Sequence, residues 1–309
     1  MSISVVIPYY NNINDIERCL KSVMSQTIIP DEVLLIDDCS RDSSLLTEII
    51  KKYEVELKLQ YFRNDSNKNG AYSRNLGVLK ANSEYIAFLD ADDYWGSEHL
   101  ETALTFLVNS NSDLVYSNMF KLEGGLTSPI KVTDLNDLNN PCDIILFSPP
   151  QTGSFFFRKV MKGGVVFNEK LRRHQDYQFL VDSILAGNKI LYNDVYTSYY
   201  CVHPHLLSRK LDFNSIFYFW NRYKNNFSEK PLQKYLIRML CLSLREKKDS
   251  KISKYKDEFE VLDVIDKTMF FKIYKIIGDR SKFSRMMLFV YFKIRYDSDR
   301  IIGKLIRLK

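Results

Sequence analysis

Residues 88–95 read FLDADDYW, which sets Asp90, Asp92 and Asp93 within four positions at the end of an apolar run. Like charges this close repel, so the cluster needs water or a cation to screen it. Hard divalent ions take oxygen ligands and bridge to substrate phosphates, so a metal-assisted phosphate site is the chemistry this cluster could serve; a solvated turn is the plainer reading. A second acidic pair, Asp37-Asp38, ends another apolar run, and Arg74 sits in the polar-to-apolar stretch GAYSRNLG (70–77). Further on, LRRHQDYQFLVD (171–182) sets Asp176 ahead of the helical stripe Phe179, Leu180 and Ile184, and YYCVHPHLLSR (199–209) brings His203 and His205. A carboxylate such as Asp176 is, in the plainer reading, ordinary decoration of a helix start. Asp182 reads as a solvated helix residue.

The elements that must position these groups alternate. Strands are expected over Ile3–Ile7, Glu32–Ile36, Leu57–Phe62 and Tyr85–Leu89, with a fifth at Leu114–Tyr116. Between them, Ile16, Cys19, Leu20 and Val23, then Leu45, Leu46, Ile49, Ile50 and Tyr53, recur at helical spacing, and a third helix runs from Gly70 through Leu79. This is the pattern of an α/β fold: a mostly parallel, Rossmann-like sheet with helices on both faces. Ligands in such sheets bind beyond the carboxyl ends of the strands, so Asp38 after strand two and Asp90 and Asp92 after strand four are expected to meet on one rim. QTGSFFFRK (151–159) is expected to supply a loop and strand, with Phe155–Phe157 in the core.

Several classes are excluded by what is missing. No glycine precedes Gly70, so the first strand-to-helix turn cannot form the glycine-rich turn of a dinucleotide site. The sequence also has no G-x-x-x-x-G-K-[ST] loop, G-x-S-x-G elbow or H-E-x-x-H helix. Its five cysteines include no C-x-x-C pair, which argues against a disulfide framework or a structural zinc and fits a cytoplasmic setting. The longest uncharged apolar run near the C-terminus, Met286–Phe292, is too short to cross a bilayer. The net charge of +6 is uneven: residues 267–309 hold twelve Lys or Arg against three Asp. Arg300, Lys304 and Arg307 share one helical face opposite Ile301, Ile302, Leu305, Ile306 and Leu308, a pattern suited to docking on an anionic membrane surface.

Four stretches in order, VVIPYYNN (5–12), VLLIDDCSRDSS (33–44), GAYSRNLG and FLDADDYW, resemble the successive signatures of the family 2 glycosyltransferases, inverting enzymes of the glycosyltransferase A-type fold. The resemblance is strong to about residue 118 and sparse to about 209. It implies transfer of a sugar from a nucleotide diphosphate donor, usually a UDP-sugar, to an acceptor hydroxyl. Carried over by position, it assigns Pro8, Tyr10, Asp38, Arg74 and Asp90 to the donor. Asp92 and His203 are assigned to a divalent metal, Mn²⁺ or Mg²⁺, and Asp176 to the catalytic base.

The expected organisation is a nucleotide-sugar half over 1–118, an acceptor and catalytic half over 119–210, and a basic helical extension over 211–309. The expected partners are the nucleotide-sugar, a saccharide or lipid-linked saccharide acceptor and an anionic membrane on the inner face of the plasma membrane, with no nucleic acid. The expected setting is bacterial surface polysaccharide synthesis. Two alternatives stand beside this reading. A sugar-1-phosphate nucleotidyltransferase would need a glycine-rich first loop, and a non-enzymatic membrane or nucleic-acid binding module would act through the tail alone.

Overall fold

The computed structural model describes residues 1–202 and 212–232. The chain divides into two compact units, Met1–Phe219 and Trp220–Lys309. Within the second unit, Trp220 packs on Phe227 with ring centroids 5.3 Å apart. His203 and the basic tail lie outside the described residues.

The first unit is built on one curled sheet, parallel on one side and mixed on the other. β1 (Ile3–Tyr9), β2 (Glu32–Asp37), β3 (Leu59–Arg63) and β4 (Tyr85–Phe88) form its parallel half. β1 and β2 are near-continuous apolar runs because helices cover both faces of a parallel sheet and leave no solvated side. β1 pairs with β2 on one side and β4 on the other, so the chain reverses its direction of winding there, and a crevice opens beyond the strand ends.

The second half was only partly legible. β8 (Phe156–Arg158) lies antiparallel between β4 and β6, and β6 (Leu114–Glu123) is far longer than the three residues expected. β6 turns into β7 (Leu126–Ile130) through Gly124 and Gly125, whose φ of +58° and +80° suit a two-residue hairpin turn. β9 (Ile190–Val202) runs parallel to β6, and the short β5 (Tyr94–Trp95) pairs with its far end.

The helices bring the chemistry to the rim. α1 (Ile16–Met24) buries Ile16, Cys19, Leu20 and Val23 at the spacing that makes one apolar face. α2 (Ser43–Tyr53) and α4 (His99–Ser110) follow β2 and β5. α3 (Gly70–Lys80) begins at Asn69, whose side-chain oxygen accepts from the Ala71 and Tyr72 amides and satisfies two of the four open donors. α5 (Gln175–Leu185) is seated by Phe179, whose ring contacts Phe88, Phe155, Phe157 and Phe167 at 4.5–6.1 Å. Each such aromatic contact adds about 0.5–1.5 kcal/mol beyond area burial, which fixes the helix one turn from Asp176. α6 spans Phe213–Tyr223. No helix among the described residues is long and apolar enough to cross a membrane.

Candidate functional site

A cleft of about 230 Å³, open to solvent, lies at the carboxyl ends of β1, β2 and β4. Pro8, Tyr10, Asp38, Arg74, Asp90 and Asp92 all line it. Six residues assigned from the sequence therefore share one rim, although they come from three strand ends and a helix. Tyr10 is half exposed, so its ring stands at the mouth.

The acidic turn shows how three neighbouring carboxylates coexist. The Asp90 carboxylate takes the Arg74 guanidinium at 2.5 Å on one oxygen and the Thr152 hydroxyl at 3.3 Å on the other. Asp93 leaves the cluster altogether. It is buried, accepts the Cys201 amide of β9 at 2.8 Å, and has its carboxyl pushed well above the usual range by burial and then by the Asp92 and Asp90 charges. Asp90 is thus screened by a cation as expected, the Arg74 guanidinium, whereas Asp93 turns into the fold, where burial disfavours its charged form. The turn is held from behind by Arg18, which donates to the Asp92 carbonyl at 2.7 Å and pairs with Asp15 at 2.9 Å.

Asp38 is more enclosed than a ligand-facing carboxylate need be. It accepts from Asn64 at 2.9 Å and from the Lys68 and Asn69 amides at 2.7 and 2.8 Å, which organises the loop leading into α3. About one lone-pair direction is left for a ligand N–H.

Arg74 is the hub. It is 8% exposed and lies 5.5 Å over the Phe167 ring. While Nη2 holds Asp90, Nη1 donates to the Gln175 side-chain oxygen at 2.9 Å. Gln175 in turn donates to the Leu171 carbonyl at 2.7 Å. That chain fastens α5 to the acidic turn; Asp176 does not line the cleft, but it lies near enough for the Arg74 and Asp90 charges to act on it. Loss of hydration raises the Asp176 carboxyl to about 6, against the opposing pull of backbone amides in the first turn of α5 and of Arg74; the Asp90 charge adds a smaller upward push. Asp182, read as solvated, instead accepts a hydrogen bond from Gln178 at 2.6 Å and is half-buried.

Among the described residues no three of His, Cys, Asp and Glu gather as metal ligands. Asp92 lines the cleft half-buried on the rim, and a carboxylate there is the kind of oxygen donor a hard divalent ion takes.

Thr152, Gln175 and Arg18 carried no sequence signal of their own. Their roles depend on partners 62, 101 and 74 positions away, and only the parallel rim predicted where such partners would be.

A family model described as glycosyl transferase family 2 matches residues 4–163. Among curated relatives, the poly(ribitol-phosphate) beta-glucosyltransferase of Bacillus spizizenii is 30% identical over 210 residues, covering 65% of this chain and 32% of that protein. The poly(ribitol-phosphate) beta-N-acetylglucosaminyltransferase TarP of Staphylococcus aureus is 26% identical over 304 residues, covering 91% of each. This chain thus spans about a third of the Bacillus protein's length and most of the Staphylococcus one. The crystal structure of S. aureus TarS 1–349 in complex with UDP-GlcNAc superposes with a TM-score of 0.70 at 21% identity, covering 97% of this chain and 92% of that one, a likeness of fold.

Proposed function

The chain belongs to glycosyl transferase family 2, and from that premise we propose that it is a metal-dependent inverting glycosyltransferase that moves a sugar from a UDP-sugar to an acceptor hydroxyl in surface-polymer synthesis. The observation that carries this reading is the chain Asp90–Arg74–Gln175, which joins the donor rim to the helix bearing Asp176. The names of relatives that act on poly(ribitol phosphate), and the UDP-GlcNAc complex of a similar fold, support the donor class and a polyol-phosphate or saccharide acceptor.

In this mechanism Pro8 and Tyr10 border the base, the remaining acceptor direction of Asp38 takes its N–H edge, and Arg74 holds Asp90 beside the ribose and diphosphate. A divalent ion held by Asp92, with His203 as its further assigned ligand, would supply positive charge against the departing diphosphate. Asp176, with its pKa near 6, is ionised at neutral pH yet still basic enough to take the proton of the attacking hydroxyl. Attack from the face opposite the diphosphate inverts the anomeric centre.

The experiment is a donor screen on the full chain, reading thermal shift with UDP-glucose, UDP-GlcNAc and GDP-mannose, each with and without Mn²⁺. A shift with a UDP-sugar that grows with Mn²⁺ supports the reading; no shift with any donor removes it. Membrane docking by residues 300–309 is part of the proposal on charge and spacing alone. Salt-sensitive sedimentation with anionic liposomes, lost when these residues are deleted, is the expected result.

A further inference from the structure

The backbone of Asp92 is gripped at both of its polar groups by the segment that follows β1. The Asn12 carboxamide, in the orientation its neighbours dictate, accepts the Asp92 amide at 3.1 Å and donates to one oxygen of Asp15 at 2.9 Å. Arg18 of α1 donates to the Asp92 carbonyl at 2.7 Å and pairs with the other oxygen of Asp15 at 2.9 Å. These residues close a ring that runs from the Asp92 amide through Asn12, Asp15 and Arg18 back to the Asp92 carbonyl. The Arg18 guanidinium also lies 5.2 Å over the ring of Tyr94 in β5, which is stacked on Tyr199 of β9 at 4.4 Å, so the grip is braced against the sheet.

Closing the turn does not require this ring. The Asp93 amide donates to the Asp90 carbonyl at 2.9 Å, and the Asp93 carboxylate ties the turn to β9. Nor does α1 benefit in the usual way. Asp15 stands at its N-cap, where a carboxylate commonly accepts the open amides of the first turn, yet it caps none of them and is turned toward Asn12 and Arg18. What the ring fixes is the pair of peptide planes on either side of the Asp92 Cα, and with them the direction in which its side chain leaves the backbone. Asp92 and Asn12 line the donor cleft, whereas Asp15 and Arg18 do not.

We propose that Asp15 and Arg18, acting through Asn12 and the Asp92 backbone, are positioning residues for the divalent ion of the donor site. A carboxylate whose backbone is already held has less freedom to lose when it takes an ion, so the ring strengthens metal binding from outside the cleft. The inference rests on the assignment of Asp92 to the ion in the glycosyltransferase reading.

The test is Mn²⁺ binding to the full chain, read from the loss of the free-ion electron paramagnetic resonance signal with and without UDP, beside UDP affinity by calorimetry in metal-free buffer. Wild type is expected to bind Mn²⁺ in the presence of UDP, and Asp92→Asn to lose that binding. Arg18→Met is expected to weaken Mn²⁺ binding to the UDP complex roughly 10- to 100-fold, the usual cost of losing a group that orients a metal ligand, while metal-free UDP affinity stays near that of wild type. Arg18→Met that binds Mn²⁺ as well as wild type, or that loses UDP equally with and without metal, overturns the positioning role and leaves the glycosyltransferase reading standing. Wild type that binds UDP but no Mn²⁺, or Asp92→Asn that binds Mn²⁺ like wild type, overturns the metal assignment and the positioning role with it. Wild type that binds neither overturns the donor reading as well. Should Arg18→Met not fold, Asp15→Asn is read in its place, with the same outcomes.

Discussion

The guanidinium of Arg74 meets the carboxylate of Asp90 at 2.5 Å, with Arg74 almost wholly enclosed and the Asp90 side chain 31% exposed. The pair joins α3 to the turn after β4, and the second arm of the same guanidinium reaches α5 through Gln175. Lysine is a point charge and cannot hold both partners at once. Arg74→Lys is therefore expected to lower stability by about 1–2 kcal/mol, the lower part of the range for a buried pair because water reaches Asp90. Urea unfolding measures this, together with UDP affinity by calorimetry, which is expected to fall in parallel. Unchanged values for both would dismiss the hub.

Asp92→Asn keeps the side chain's size and removes an anionic ligand oxygen. Donor binding in this variant is expected to lose its dependence on Mn²⁺. Asp90→Asn is expected to be milder in that respect, because its carboxylate is engaged by Arg74. A Mn²⁺ titration of UDP binding that is the same for Asp92→Asn and wild type ends the assignment of Asp92.

Asp176→Asn is expected to bind donor normally and to lose transfer by roughly 10² to 10⁴-fold, the usual worth of a positioned base. In wild type, kcat is expected to rise with pH through about 6 as Asp176 ionises. Initial rates across pH 4.5–8 check both statements. A flat profile in that window, or near wild-type turnover of the variant, would return Asp176 to helix decoration.

The same carboxylate costs the fold stability. Its pKa is raised from an ordinary 3.8 to about 6, so the folded chain holds the proton more tightly than the unfolded chain. The cost is absent below about pH 4, grows between the two values and is fully present above about pH 6. Asp176→Asn is thus expected to be more stable than wild type by on the order of 2 kcal/mol at pH 7.5, a difference that vanishes near pH 4. Paired urea curves at the two pH values test the sign; a destabilised variant at pH 7.5 contradicts it.

Gly77 faces β1 across a contact with no spare room, since a Cβ there would lie 2.2 Å from Val6 Cγ1. Gly77→Ala gains about 1 kcal/mol of helix propensity, but overpacking of this kind costs about 1–3 kcal/mol. A net loss near 1 kcal/mol is expected, with weaker UDP binding because Arg74 lies one turn away on the same helix. Adding Val6→Ala is expected to relieve the clash; a double variant less stable than the sum of the single changes would refute that account.

The parallel half of the sheet was legible because its signals are local. An apolar run such as Ile3–Ile7, a helical stripe such as Ile16, Cys19, Leu20 and Val23, and the rule that ligands sit beyond strand ends together brought Asp38, Asp90 and Asp92 to one rim before any coordinates. The acidic motif and Arg74 were also legible, as residues of that rim. Their relationships were not. That Arg74 screens Asp90, that Gln175 ties α5 to Arg74, and that Asp93 turns away to accept the Cys201 amide are pairings across 16, 101 and 108 positions. Strand and helix periods encode which face of an element is buried, but not which distant element packs against it. The long β9 shows the same limit: ILYNDVYTSYYCV mixes polar and aromatic residues without clean alternation, and its burial follows from β6 and β5 on either side. The types of chemical group were written in the chain; tertiary packing decided which carboxylate is paired, which is buried and which is left basic enough to take a proton.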